Sequence, residues 1–268
     1  MHQFLIGLLL AAIVSFLAFR ARALNKNGAL SATLMGGIIF GLGGLSWSIL
    51  LLAFFISSSL LSRAFTKQKI NLNEKYSKGH ERDVAQVLGN GGVATIFVLL
   101  HAALPYESWP FLGFAAALAA VNADTWATEI GVLNKSQPRL ITSGRLVEKG
   151  TSGAVSLLGT LAALSGSALI GLLSPWLATD HWQLISFYWP HVIVAGFLGS
   201  LFDSLLGATV QAIYFCPQHQ KETEQHPLHS CGAETVHLRG WKWLTNDWVN
   251  FLCAAFGAAA VLILTFLL

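Results

Sequence analysis

Charge is what this sequence has least of. Only 11% of its 268 residues are Asp, Glu, Lys or Arg, against about 25% in an ordinary soluble domain. Barely about 30 residues in a row are polar enough for a soluble domain, so a soluble enzyme with a membrane anchor is excluded. No Gly-x-x-x-x-Gly-Lys-Ser/Thr segment occurs, which rules out a soluble P-loop nucleotide domain. The N-terminal Met-His-Gln carries no Lys or Arg. A secretory signal needs such a basic start, so the first apolar run is expected to stay as a helix, although "ARA" (21–23) resembles a cleavage site.

What the chain has instead is apolar surface. Hydrophobic residues make up 54%, the mean hydropathy is +0.60, and apolar runs recur from end to end. The expected fold is an all-α polytopic membrane protein with about eight transmembrane helices, each needing ~20 residues to cross ~30 Å of hydrocarbon. The runs are 4–19, 28–43, 46–62, 84–104, 111–131, 152–173, 190–214 and 247–267.

The few charges are segregated. All 16 basic residues fall on alternate loops. These are Arg20, Arg22 and Lys26; Arg63, Lys67, Lys69, Lys75, Lys78 and Arg82; Lys135, Arg139, Arg145 and Lys149; and Lys221, Arg239 and Lys242. The opposite loops carry only Glu107 and Asp180. By the positive-inside rule the basic loops face the cytoplasm and both termini lie on the other side. The host is a bacterial inner membrane, or a thylakoid or plastid envelope membrane in a photosynthetic cell. The basic residues then need no nucleic-acid partner to explain them.

The chain also repeats itself. "FLIGLLLAA" (4–12) matches "FLGFAAALAA" (111–120), "ALNK" (23–26) matches "VLNK" (132–135), and "GALSATLMG" (28–36) matches "GAVSLLGT" (153–160). "SSLLSRA" (58–64) then matches "DSLLGAT" (203–209), and "RDVAQVLGNGG" (82–92) matches "NDWVNFLCAAFG" (246–257). Four spans per half make two parallel four-helix repeats, about 1–105 and 106–268, within one integral membrane domain. The second repeat holds a Cys/His-rich loop at 215–245.

Ionisable groups inside spans are costly, roughly 2.5–3.5 kcal/mol each at a helix centre, and usually face a bundle interior or a wet cavity. Asp124 and Glu129 lie in "AAVNADTWATEIG" (119–131), and Asp203 lies in "GSLFDSLLGATVQ" (199–211) beside a stripe of Gly196, Gly199 and Gly207. Asp247 and Asn250 share a face, as do Arg82, Gln86 and Asn90. Ser57, Ser58 and Ser59 approach the same side, where interhelical hydrogen bonding alone would account for them. Acidic groups in helices below basic groups in loops suit a phosphate ligand carried by Mg²⁺. The glycines of "GNGG" (89–92) and "KGTSG" (149–153) either offer backbone N–H groups to phosphate or pack helices.

"NADTWATEIG", "PRLIT", "GTSGAVSLLGT", "GSLFDSLLGATVQ" and "NDWVNFL" resemble the signature blocks of an integral-membrane family that includes plant phytyl-phosphate kinase of tocopherol synthesis and animal transmembrane protein 19. "KNGALSATLMGG", "SSSLLSR" and "RDVAQVLGNGG" extend the resemblance over almost the whole chain. It implies a kinase that converts a prenyl monophosphate to the diphosphate with a nucleoside triphosphate such as CTP. On that reading Asp124, Glu129 and Asp203 bind Mg²⁺ and carry catalysis. Arg82, Arg145 and Lys149 contact phosphates, Asn90, Asn122 and Asn246 orient them, and Asp247 is a further ligand candidate. The expected partners are a prenyl monophosphate, a nucleotide, membrane lipids and a second copy of the chain. An ion-coupled transporter is the competing reading.

The loop "CPQHQKETEQHPLHSCG" (216–232) offers Cys216, His219, His229 and Cys231 as a tetrahedral, structural Zn²⁺ site. A solvated loop with incidental Cys and His is the alternative. A disulfide does not suit the reducing cytoplasmic side.

Overall fold

A computed structural model describes residues 2–65, 81–178 and 182–267. Lys67, Lys69, Lys75, Lys78 and Asp180, used above to orient the chain, lie outside the described residues. Seven helices form among the described residues: α1 (His2–Arg20), α2 (Lys26–Ala64), α3 (Val84–Ala103), α4 (Trp109–Gly131), α5 (Leu157–Leu177), α6 (Trp182–Thr209) and α7 (Asn246–Leu267). Short strands fill two of the connections. β1 (Arg139–Leu140) pairs antiparallel with β2 (Ala154–Val155), and β3 (Ile213–Cys216) lies between β4 (Lys221–Thr223) and β5 (Val236–Arg239). The protein is an all-α polytopic membrane protein in which six helices are long and apolar enough to span a bilayer.

The 39 residues of α2 would run about 58 Å if straight, nearly twice the hydrocarbon thickness. They do not. Gly44 has φ 75° and ψ −162°, a combination open only to glycine without strain. Both ends of the element return to one residue. Asn25 N–H donates to the Arg82 carbonyl at 3.0 Å, and Arg82 Nη2 donates to Ser58 Oγ at 2.9 Å. The chain therefore doubles back at Gly44 into two arms, 26–43 and 45–64, matching the two short apolar runs of the sequence. Trp47, just past the reversal, packs against His101, Phe111 and Phe114 with ring centroids 4.7 to 5.1 Å apart. Those three residues mark the opposite end of the bundle from Arg82.

Helix α4 is the one helix absent from the six membrane-length apolar elements. It is also the most enclosed, with every residue from Pro110 to Ala123 buried. Its alanines meet glycines of its neighbours. A Cβ at Gly196 would lie 2.6 Å from Ala119 Cβ, one at Gly199 2.6 Å from Ala120 Cβ, and one at Gly257 2.8 Å from Ala120 Cβ. Small residues on both sides let backbones approach closely, the usual solution where lipid offers no hydrophobic drive between helices. Polar ties lock the approach. Asn122 Nδ2 donates to the Gly166 carbonyl at 2.7 Å, and Ser167 Oγ donates to the Ile193 carbonyl at 2.7 Å.

Two apolar runs overreach at their ends. Residues 152–156 belong to the β2 connection, because Ser156 caps α5 by accepting from Gly159 N–H at 3.1 Å. Residues 210–214 have left α6 and lead into β3. Around that connection Arg239 Nη1 donates to the Gly207 carbonyl at 3.0 Å. The connections α1–α2, α4–α5 and α6–α7 and the residues just ahead of α3 thus gather at one end of the bundle, the end that carries the described basic residues.

Candidate functional site

That end holds a cavity of about 290 Å³. Asp124 and Glu129 reach it from the C-terminal half of α4, Asp203 from α6, Arg82, Gln86 and Asn90 from the start of α3, and Asn246 and Asn250 from the start of α7. The loop Lys149-Gly150-Thr151-Ser152-Gly153 forms one wall. This wall needs its glycine. Gly153 has φ +79°, and a Cβ there would lie 2.3 Å from the Ala208 backbone nitrogen.

Each charged group is held by local structure. Arg82, just ahead of α3, donates to Ser58 and Ser59 Oγ at 2.9 and 3.5 Å. Its guanidinium lies over Phe54 and Phe55, 5.7 and 5.4 Å from their ring centroids. Burial lowers its pKa to about 10, and the negative charge of Glu129 partly offsets that effect. It stays protonated at neutral pH. Glu129 is 7% exposed, and its Oε1 accepts from Ser62 Oγ at 2.7 Å. Lys149 Nζ donates to the Val132 carbonyl at 3.2 Å and to that of Asn134. Asp203 Oδ2 is buried with no hydrogen-bond partner among the described residues.

A fourth carboxylate comes from a place the sequence did not suggest. Glu224 follows β4 in the Cys/His-rich loop and lines the cavity. Its Oε1 accepts from Ser152 Oγ and Gln211 Nε2, each at 2.8 Å. The cavity thus carries Asp124, Glu129, Asp203 and Glu224 against Arg82 and Lys149. An excess of two negative charges in a half-enclosed site is what one divalent cation would neutralise, and oxygen donors are the ligands that Mg²⁺ selects.

Three expected residues are elsewhere. Asn122 is fully buried away from the cavity. Its Oδ1 accepts from Ser57 Oγ at 3.1 Å and its amide is spent on Gly166, so it joins helices. Arg145 is exposed in the α4–α5 connection and does not line the cavity. Asp247 also lies off the cavity wall, and its carbonyl faces Gly89. The glycines of "GNGG" are packing residues, since Cβ atoms on Gly89, Gly91 and Gly92 would meet Asp247, Met35 and Phe251. Those of "KGTSG" line the cavity. Ser57 serves interhelical bonding, accepting from Trp126 Nε1 at 3.3 Å, whereas Ser58 and Ser59 hold Arg82.

Beside the cavity, Cys216, His219, His229 and Cys231 bring their ligand atoms within 4.8 Å of one another. Cys216 and Cys231 sulfurs are 3.7 Å apart, and His229 Nδ1 is 3.2 Å from Cys231 Sγ. Two sulfurs and two imidazoles at such separations can hold a metal ion. The loop that presents Glu224 is turned back by the β3–β4 pairing, in which Cys216 lies opposite Lys221.

Protein PGR of Arabidopsis thaliana is 30% identical over 93% of this chain and 92% of its own length. An uncharacterized membrane protein of Methanocaldococcus jannaschii is 34% identical over 76% of this chain and 81% of its own. Protein VTE6, chloroplastic, of Arabidopsis thaliana is 24% identical over 91% of this chain and 66% of its own. No solved structure matches. The family model for the integral membrane protein DUF92 matches residues 9–258, nearly every residue that builds the bundle and its cavity, and the chain belongs to that family.

Proposed function

We propose that the chain is a prenyl-phosphate kinase, transferring a phosphoryl group from a nucleoside triphosphate to a polyprenyl monophosphate at the cytoplasmic face. The observation that carries this reading is the cavity of four carboxylates and two cations at the loop end of an otherwise apolar bundle. The family resemblance supports this reaction, because the blocks that carry it supply Arg82, Asp124, Glu129 and Asp203.

The chemistry asks for charge management more than for acid–base catalysis. A monophosphate has a second pKa near ~6, so its attacking oxygen is largely ionised at neutral pH. It forms a bond to the γ-phosphorus as the bond from that phosphorus to the bridging oxygen breaks, and the nucleoside diphosphate leaves. The obstacle is repulsion between two anions, and positioning with charge neutralisation removes it. Arg82 and Lys149 face the phosphates, Asn90 and Asn246 orient them, and residues 150–153 line the same wall. Asp124, Glu129, Asp203 and Glu224 would hold Mg²⁺, whose charge offsets that of the phosphates. The Cys/His cluster would hold structural Zn²⁺.

Eight crossings in two parallel repeats fit the same picture. The matched segments pair Arg82 with Asn246 and Gln86 with Asn250, and all four line the cavity. Basic loops at the cavity end support a cytoplasmic site with both termini on the opposite side.

The test is incubation of purified protein in lipid with phytyl, farnesyl or geranylgeranyl monophosphate, radiolabelled nucleotides and Mg²⁺. Diphosphate product is expected. Absence of product with every donor would instead favour an ion-coupled transporter, the reading that carboxylates within α4 and α6 also suit.

A further inference from the structure

A second cavity, of about 250 Å³, lies between α1, both arms of α2 and the start of α3. Its walls are almost wholly apolar, with side chains such as Leu10, Val14, Met35 and Leu51. Apart from Ser15 and Ser48, its polar lining is Arg82, Gln86 and Asn90. Those three residues also line the acidic cavity. Gln86 and Asn90 share a face at the start of α3 and Arg82 lies just ahead of it, so this stretch separates two spaces of opposite character. Arg82 marks the junction, its guanidinium over Phe54 and Phe55, which line the apolar side.

We infer that this slot binds the tail of the acceptor lipid, a single apolar chain whose terminal phosphate sits at Arg82. The inference rests on the kinase reading for the identity of the head group. The slot itself is argued from its continuity with the charged cavity. A ligand that is anionic at one end and apolar along its length matches both spaces at once, with its only charge beside the one cation at the junction. The volume suits part of one chain and not the two chains of a diacyl lipid. Leu10 and Leu45, 43% and 64% exposed, edge the slot, so the rest of a long tail extends sideways into the bilayer. Entry from the membrane then delivers the phosphate to the polar cavity with the chain still in an apolar setting.

The experiment uses the full-length protein in nanodiscs and a 20-carbon prenyl monophosphate carrying a diazirine in the part of its chain nearest the phosphate. After illumination, peptides from α1 and the first arm of α2 carry the label. Unlabelled prenyl monophosphate removes it, and phosphatidic acid does not. Ala32→Phe, which fills the slot, lowers labelling at least tenfold while the thermal unfolding midpoint is kept. Ser48→Leu, on the second arm, serves the same purpose should the first variant unfold. Labelling confined to the outer faces of α5–α7, labelling that persists in a folded slot-filled variant, or equal competition by phosphatidic acid overturns the assignment. Slot labelling without phosphoryl transfer from any nucleotide leaves the slot standing and removes the kinase. Transfer with the label elsewhere does the reverse.

Discussion

Replacing Arg82 by Met separates a residue kept for the fold from one kept for chemistry. The buried guanidinium has its pKa lowered to about 10. At about 1.4 kcal/mol per factor of ten, holding its charge there costs roughly 3 kcal/mol. Against that stand its hydrogen bonds to Ser58 and Ser59 and its stacking on two phenylalanines, together about 2–4 kcal/mol. Those contributions are of similar size, but the change also strips the buried Glu129 carboxylate of a positive charge that interacts with it, and removing one member of such a pair is the costly case. Its backbone bonds to Ala23 and Asn25 survive the change. The unfolding free energy of Arg82→Met should fall by about 1–3 kcal/mol, short of unfolding the protein. Its kcat/KM for a prenyl monophosphate should fall by about 10²–10³, the usual consequence of removing one preorganised donor from a developing charge. Both are measured on one detergent-solubilised sample, by thermal unfolding and by radiolabelled diphosphate formation. A folded variant that turns over at the wild-type rate removes Arg82 from the site. A loss of 3 kcal/mol or more with the rate intact makes it a structural bolt only.

Asp203→Asn and Asp124→Asn should each abolish turnover yet leave membrane insertion unchanged, and wild-type rates in either purified mutant would falsify their role in holding the cation. Glu224→Gln keeps an acceptor for Ser152 and Gln211 but deletes a charge; the Mg²⁺ concentration for half-maximal rate should rise about 10–100-fold, and an unchanged Mg²⁺ requirement refutes its place in the set. Protein purified without chelator should carry about one zinc per chain by elemental analysis, lost in Cys216→Ser; no stoichiometric metal in the wild type disposes of the cluster. Gly153→Ala should lower stability by at least about 1 kcal/mol, from positive φ alone, as read by thermal unfolding, whereas an unchanged midpoint contradicts the close approach to Ala208.

The sequence made the bundle legible because apolar runs of membrane length have few alternative meanings. It also held the reversal in α2, as a pair of runs too short to be one span and joined by glycines. The errors lie where local pattern and long-range contact part company. Residues 152–156 and 210–214 are apolar enough to extend a helix, but a serine cap and a short sheet claim them. Asn122 carries the same chemistry as Asn90, and nothing in its spacing says that Gly166 and Ser57 consume it. Glu224 was invisible because its place in the site depends on the β3–β4 pairing, which turns the loop back toward Ser152 and Gln211. Asp124, Glu129 and Asp203 were easy to single out because charge inside an apolar helix is expensive, and few sequences carry it idly.

The enclosure of α4 bears on how the chain is made. Its polar C-terminal half gives it a weaker claim to hydrocarbon than its neighbours, and the surfaces that shelter it belong mostly to α5, α6 and α7, which emerge from the ribosome later. A nascent protein halted after α4 would leave Asp124 and Glu129 without the helices that shield them from lipid. Truncation from the C-terminus therefore uncovers the centre of the molecule before its rim.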